Sequence, residues 1–421
     1  MFKNLLKALC LGLIVPGVIF YAKCAAAKPV DACQESQTEL PTSTERISGI
    51  ETQTTAAKTW QFSSNTKLRG QVVLAGQYGN QAVTTVDSRP TMIARVRLYL
   101  DTSFNEDNSL TIGFETGNGG NDFFSDIGLA TTNPEPFGNA GDRANSIINL
   151  GGLVYSGSPP ELKLLQLAYN FKPSQDLSIT IGSTLRPSDY IDNNTYSGDE
   201  ASDFSTNFLI KNRLILAAAI DGPGAAGAVF DWNIDGSPFK LRGLYLAANA
   251  ASSIDGGLFG DPYQASLELE YASKFGENDK NNAAVRLQYT KSSTFSLEQN
   301  VLGVNGEATF GQVGVFGRYG ISIEPKFANA NLFNNNNNIQ TWMAGVGIND
   351  LLIPGSLLAF AVGQPFIAPD SPAIQTNFEA FYRLPINDNM KVTPAVMFIT
   401  NPFNTNTNTV FQGLVRMTYT F

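Results

Sequence analysis

From about Ser63 to the final residue, apolar and polar side chains alternate in short runs, and no other feature constrains this chain so tightly. In QASLELEYAS, Ala265, Leu267, Leu269 and Tyr271 share one parity, opposite Gln264, Ser266, Glu268 and Glu270. NAAVRLQYTK repeats the pattern with Ala283, Val285, Leu287 and Tyr289 against Arg286, Gln288 and Thr290. SLTIGFETG does so with Leu110, Ile112 and Phe114, and ELKLLQLAYNF with Leu165, Leu167, Tyr169 and Phe171. Successive side chains of a strand point to opposite faces, so each run predicts a strand with one apolar and one polar face. Roughly sixteen to eighteen such runs follow one another, separated by turn-rich segments such as FNEDNS, KPSQD, GENDKNN and PINDN. No amphipathic helix interrupts them. The longest clean apolar run after the N-terminus, Leu214 to Ile220, is far too short for a spanning helix.

Alternation alone fits two architectures. In a soluble sandwich the apolar face meets a second sheet; in a membrane barrel it meets lipid while the polar face lines a lumen. Three features favour the barrel. Charges sit in the polar phase inside strands, where Arg95 and Arg97 alternate with Ala94, Val96 and Leu98, and Lys211 and Arg213 with Ile210 and Leu214. The array runs on without a break into separate sandwiches. Short turns also alternate loosely with long Gly/Asn/Asp-rich loops. The expectation is an all-β fold: a closed antiparallel transmembrane β-barrel of about sixteen strands, with long extracellular loops and short periplasmic turns.

The C-terminus agrees. In VFQGLVRMTYTF, Phe411, Gly413, Val415, Met417, Tyr419 and Phe421 share the lipid-facing parity, so the chain ends on an aromatic ring at the membrane boundary. Tyr419 and Phe421 together look like the signal that barrel assembly machinery reads. The other end, MFKNLLK followed by an apolar stretch and Ala25 to Ala27, reads as a signal peptide. Residues 1–27 are thus expected to be cleaved, 28–62 to form a flexible periplasmic leader, and 63–421 the barrel, in the outer membrane. Cleavage leaves Cys33 alone, so no intrachain disulfide forms, and the loss of Lys3, Lys7 and Lys23 takes the formal charge from −9 to −12. An acidic exported chain is a poor nucleic-acid binder. The absence of histidine removes the commonest general acid/base and metal ligand, so neither an enzyme nor a cofactor or metal site is expected.

Several stretches go beyond general barrel features. DYIDNNTYSGDEASDFSTN (Asp189 to Asn207), GVFGRYG (Gly314 to Gly320), TWMAGVGINDLLIPGSLLAFAVGQPF (Thr341 to Phe366) and FEAFYRLPINDNMKVTPAVMFITNP (Phe378 to Pro402) resemble the carbohydrate-selective porin family. They look most like its cyanobacterial outer-membrane branch, some members of which are described as iron-uptake porins. The resemblance spans about Ser63 to Phe421 and implies a homotrimer. One departure stands out: cyanobacterial members usually carry a surface-layer-homology domain before the barrel, and the leader here is too short for it, so cell-wall anchoring is not carried over.

The function expected is a water-filled channel for passive diffusion of small polar solutes: sugars, inorganic ions and, through the resemblance, iron. The alternatives are a plugged structural or adhesive barrel and an exported soluble β-protein. Inward-facing candidates are Lys67, Arg69, Arg95, Arg97, Glu268, Glu270, Arg286, Glu379, Arg383 and Arg416, which share the polar parity of their strands. Facing acidic and basic arcs built from them would set a transverse field favouring polar solutes. For narrowing the pore, the first choice is the loop from Thr116 to Ser146, with Asp122, Asp126, Glu135, Asp142 and Arg143. The second is the stretch carrying Asp189, Asp192 and Asp203.

Overall fold

The computed structural model describes residues 65–81, 88–130, 151–277, 280–294, 297–327, 337–367 and 371–421. The expected signal peptide and leader, residues 1–62, lie outside the described residues. So do Glu135, Asp142 and Arg143.

Sixteen antiparallel strands close on themselves. They are β1 (Thr66–Gln81), β2 (Thr91–Ser103), β3 (Asn108–Gly117), β4 (Lys163–Phe171), β5 (Leu177–Leu185), β6 (Ala225–Asn233), β7 (Phe239–Ala247) and β8 (Tyr263–Phe275). Then follow β9 (Asn281–Thr294), β10 (Leu297–Phe310), β11 (Val313–Phe327), β12 (Ile339–Asn349), β13 (Leu357–Ile367), β14 (Thr376–Pro385), β15 (Met390–Thr400) and β16 (Val410–Thr420). Each strand pairs with its neighbours in sequence, and β16 pairs with β1 from Gln71↔Thr420 to Gln81↔Val410. No edge is left unpaired, which is what lets a sheet cross hydrocarbon. Connections at one end are short, such as 104–107, 311–312 and 386–389, while the other end carries 118–130, 151–162 and the segment 186–224. Both ends of the barrel chain sit at the short-turn end, the periplasmic side of a porin.

The alternation reads out as two faces. Leu267, Leu269, Val285, Leu287, Leu302 and Val304 are exposed on the outer surface, whereas Glu268, Arg286, Gln288 and Asn305 are buried inside. Aromatic pairs ring the short-turn end: Tyr169–Phe171, Phe239–Tyr271, Phe275–Phe310 and Tyr419–Phe421, with centroids 5.1 to 6.1 Å apart. Such a girdle marks a membrane interface. One phase differs from the expectation. A register shift at Gly113/Phe114 makes a bulge in β4, so Leu164 is exposed and Leu165, expected to face lipid, is buried. Lys211 and Arg213 are also not on a strand; they belong to the segment between β5 and β6. Their alternation with Ile210 and Leu214 imitates a strand because that segment, too, is buried among apolar and polar neighbours.

Phe421 completes the closure. Its N–H donates to the Gly70 carbonyl at 3.1 Å, its own carbonyl accepts from the Gly70 N–H at 2.8 Å, and a Cβ built on Gly70 would fall within the Phe421 ring. Gly70 is therefore the seat of the terminal ring. Gly70→Leu is expected to cost about 1–3 kcal/mol by overpacking. The folded, heat-modifiable band on cold gels should then convert to the unfolded position at lower temperature than in the parent. An unchanged conversion temperature would contradict this role.

Candidate functional site

A barrel this wide would enclose an open lumen, but the segment 186–224 between β5 and β6 folds into it. The segment contains two short helices, α1 (Asn207–Ile210) and α2 (Ala218–Asp221). Ile191, Phe204, Phe208, Leu209, Ile215 and Ile220 are buried in one apolar cluster with wall residues of β1, β2, β7, β10 to β16, among them Val73, Ile93, Leu246, Phe316, Phe381 and Leu414. Each large side chain so removed from water contributes roughly 1.5–3 kcal/mol. LILAAAI, the apolar run that is too short to span a membrane, is part of this inner core.

A loop buried in this way must find partners for its peptide groups. The wall supplies them. Asp192 adopts the left-handed conformation (φ +63), which Asp tolerates, and so turns its carboxylate and backbone toward β8 to β11. Arg318 on β11 donates from Nε to Asp192 Oδ1 at 3.0 Å and from Nη2 to the carbonyls of Asp192 (3.0 Å) and Ser197 (2.6 Å). Both members of this ion pair have side chains only 1% exposed. The Asp192 carboxylate also accepts from Asn305, Gln288 and the Asn212 N–H, and the Asp192 N–H donates to Glu268 at 2.8 Å. Across the lumen, Glu379 on β14 accepts the Ser205 and Thr206 N–H groups at 2.6 and 2.9 Å. Arg383 pairs with Asp203 at 2.8 Å, and Arg416 donates to the Asp203 carbonyl at 2.5 Å and to Ser205 Oγ at 3.1 Å. Gln264 holds Ile215 and Ala217 by their backbones.

Glycines shape the inner wall to fit. Tyr196 lies over Gly314 and Gly347, stacks on Phe316 at 5.5 Å and hydrogen-bonds Thr309 and Asn349 through its hydroxyl. A Cβ on Gly303 or Gly320 would meet Ile215 or Asn212 at 2.7 and 2.9 Å. GVFGRYG is therefore a docking strand: Gly314 seats Tyr196, Phe316 stacks on it, Arg318 clasps Asp192, and Gly320 seats Asn212. EAFYR is its counterpart on β14, with Glu379 and Arg383 polar anchors and Phe381 edge-on to Phe204 at 4.8 Å.

The inward charges fall into two groups. On β6 to β10 they form one chain of alternating sign: Asp231–Arg242 3.0 Å, Arg242–Glu268 2.8 Å, Arg242–Glu270 3.3 Å, Arg286–Glu270 2.6 Å and Arg286–Glu307 3.0 Å. Acids and bases are interleaved here, in place of the facing arcs expected. Near β2 the cations gather. Glu200, on the inward loop, meets Arg95 (3.0 Å), Arg97 (2.7 Å), Lys211 (2.6 Å) and Arg186 (3.8 Å). Arg97 also pairs with Glu115, Arg186 with Asp189, and Lys211 and Arg213 with Asp221. Burial would push the Glu200 carboxyl up, but Arg97, Lys211, Arg186 and Arg95 outweigh it and hold it well below the usual carboxylate range. The same competition, led by Lys211 and Arg213, brings Asp221 down to about 2. Both are ionised at neutral pH.

All ten inward candidates of the sequence face the lumen side of the wall. Arg95, Arg97, Glu268, Arg286, Glu379 and Arg416 are buried, whereas Lys67 and Arg69 are exposed at the periplasmic mouth, where Arg69 pairs with Asp101 at 2.5 Å and stacks over Tyr99. Of the two loops, 186–224 crosses the lumen. The described part of the other carries a further helix, Phe123–Ala130, whose Phe123 rests on Gly79 and whose Phe124 packs with Ile399 and Val410. Asp122 is buried there, accepting from Leu153 N–H and Ser125, while Asp126 is exposed. Glu115, Glu200, Asp221, Asp231, Arg242, Glu307 and Arg318 escaped the sequence reading. Arg242, Glu307 and Arg318 were within reach, since KLRGLYLA, LGVNGEATF and GVFGRYG place them on the inward parity.

Between the inward loop and the β1–β2 wall lies a cavity of about 480 Å³, reaching the periplasmic end at Asn389 and Phe421. Arg69, Arg97, Arg186 and Lys211 line it together with Asp189, Asp192, Asp199 and Glu200.

Comparison with known proteins follows the same outline. The family model for the carbohydrate-selective porin, OprB family, matches residues 27–421. A Nostoc sp. protein described only as uncharacterized is 25% identical over 436 residues, 92% of this chain and 71% of the relative. One from Synechocystis sp., described likewise, is 26% identical over 92% of this chain and 75% of its own length. Among solved structures, Pseudomonas putida OprB superposes with a TM-score of 0.63 at 11% identity, covering 87% of this chain and 97% of that one. The anion-selective porin of Comamonas acidovorans gives 0.55 at 12% identity, covering 85% and 100%. At such identities these two speak for the fold alone. With the family model spanning the barrel, the chain belongs to the carbohydrate-selective porin (OprB) family, outer-membrane channels for small solutes.

Proposed function

We propose that small polar solutes, inorganic ions and sugars, cross this barrel beside the docked loop 186–224, through passages narrower than the full bore. The observation that carries this reading is the charged cavity of about 480 Å³ between that loop and the β1–β2 wall. Ionised groups line it, so it favours polar over apolar solutes. The residues that would govern passage are Arg69, Arg97, Arg186, Lys211 and Glu200, with Asp192 and Asp203 holding the loop to the wall and Asp189 pairing with Arg186 within it. Iron, suggested by the cyanobacterial resemblance, has no support from the family match or the fold.

The apolar cluster inside the lumen favours a second reading, a plugged barrel without transport. Planar-bilayer recording separates the two. The folded protein should give small stepwise conductances; a silent barrel would reject the channel. Arg318→Ala strands the Asp192 carboxylate in a buried site, a loss of about 3–5 kcal/mol for such pairs. The loop should loosen and single-channel conductance rise severalfold. An unchanged conductance in a folded variant would mean that the loop is not the narrowing element.

Export by a cleaved signal at 1–27, insertion by assembly machinery reading Tyr419 and Phe421, and assembly into trimers complete the proposal. Native mass spectrometry of protein purified from outer membranes is expected to give three copies of a chain beginning near Lys28. A monomer, or a chain retaining residue 1, would overturn the corresponding part.

A further inference from the structure

We propose that the cations converging on Glu200 form a binding station for small divalent oxyanions, and that the Glu200 carboxylate is its tethered, displaceable occupant. The inference rests on the channel reading but has a readout independent of it. Glu200 belongs to the inward loop, whereas Arg95 and Arg97 belong to the wall, so the carboxylate is a separate element brought to the cations. Its Oε2 accepts from Arg95 and Arg97 and its Oε1 from Lys211, with Arg186 at 3.8 Å.

The charge count shows what leaving would expose. The cluster holds five cations (Arg95, Arg97, Arg186, Lys211 and Arg213) against four carboxylates: Glu115, Asp189, Glu200 and Asp221. With Glu200 withdrawn, five face three. The surplus of two positive charges matches hydrogen phosphate or sulfate.

A second observation points the same way. Arg95 is 1% exposed, yet its Nε and Nη2 have no hydrogen-bond partner. A buried guanidinium with idle donors is costly, and the Glu200 carboxylate, already accepting from Arg95, Arg97 and Lys211, has about one of its four lone-pair sites left for the two idle donors. A tetrahedral oxyanion brings four oxygens where the carboxylate brings two, and so more acceptors for these donors. Access exists, because Arg97, Arg186, Lys211 and Glu200 all line the cavity that reaches the periplasmic end. Glu200 thus acts as an internal competitor: it keeps the station filled, and a solute anion passes by taking its place. The chain on β6 to β10 has two arginines, Arg242 and Arg286, against four carboxylates and so no positive surplus, which makes the preference local to β2.

The test uses the full folded barrel in detergent, titrated calorimetrically with inorganic phosphate and with sulfate. Glu200→Gln removes the competitor's charge with little change of shape. It is expected to bind one phosphate at least tenfold more tightly than the parent, and the binding should disappear on adding Lys211→Met. In bilayers, Glu200→Gln should shift the reversal potential in a KCl gradient toward chloride, and phosphate should reduce its current. No phosphate binding above the parent level, or binding indifferent to Lys211→Met, would overturn the station. If Glu200→Gln does not fold, Glu200→Asp, which withdraws the carboxylate by one methylene, carries the same comparison. Binding in detergent with silent bilayers would leave the station standing and reject the channel; current without binding would do the reverse.

Discussion

A peptide buried without hydrogen-bond partners is the obstacle that any segment inside a barrel has to overcome. The wall itself has no such difficulty, since each strand is paired on both sides. The loop 186–224 depends on side chains that the wall offers. Glu379 takes two consecutive N–H groups, Arg318 takes two carbonyls and a carboxylate, Arg416 takes a carbonyl, and Gln264 takes a donor and an acceptor together. The apolar cluster can form only because these partners are present. Inside-out organisation follows: lipid covers one apolar surface, the loop covers another, and polar groups occupy the layer between.

The barrel was legible in the sequence because its physics is local. A strand with lipid on one side alternates, whatever its partners, so Leu267/Glu268/Leu269 and Val285/Arg286/Leu287 carry their orientation in the chain itself. The closure could be read from Phe421 for the same reason, although its seat on Gly70 could not. The inward loop was not legible in this way. Lys211, Arg213 and the run after them imitate a strand, because burial among mixed neighbours leaves the same trace as a pleat. Nor does anything near Glu200 in sequence announce Arg95 and Arg97, which lie on another strand far back in the chain. What the sequence did carry was a set of family-like stretches, DYIDNNTYSGDEASDFSTN, GVFGRYG and EAFYR, without a reason for their likeness. They are the complementary parts of one docking surface.

This arrangement changes what selectivity means here. An open bore sorts by width and by the field across it. In this barrel most inward charges are already engaged: those on β6 to β10 pair with one another, and Arg318, Glu379, Arg383 and Arg416 are committed to holding the loop. The charges left to meet a solute are those around Glu200 and the cavity beside it. Discrimination is therefore concentrated at one place on the wall, and most of the apparently charged lumen is scaffold.

The lumen is partitioned only if the loop is held fixed against the wall. Hydrogen exchange followed by mass spectrometry on the folded protein in lipid measures this directly. Peptides covering residues 186–224 should exchange as slowly as those from the strands they dock on, β11 and β14, and far more slowly than the exposed connection 248–262. If they exchange as fast as 248–262, the loop is not held to the wall, and the partitioned lumen described above is wrong.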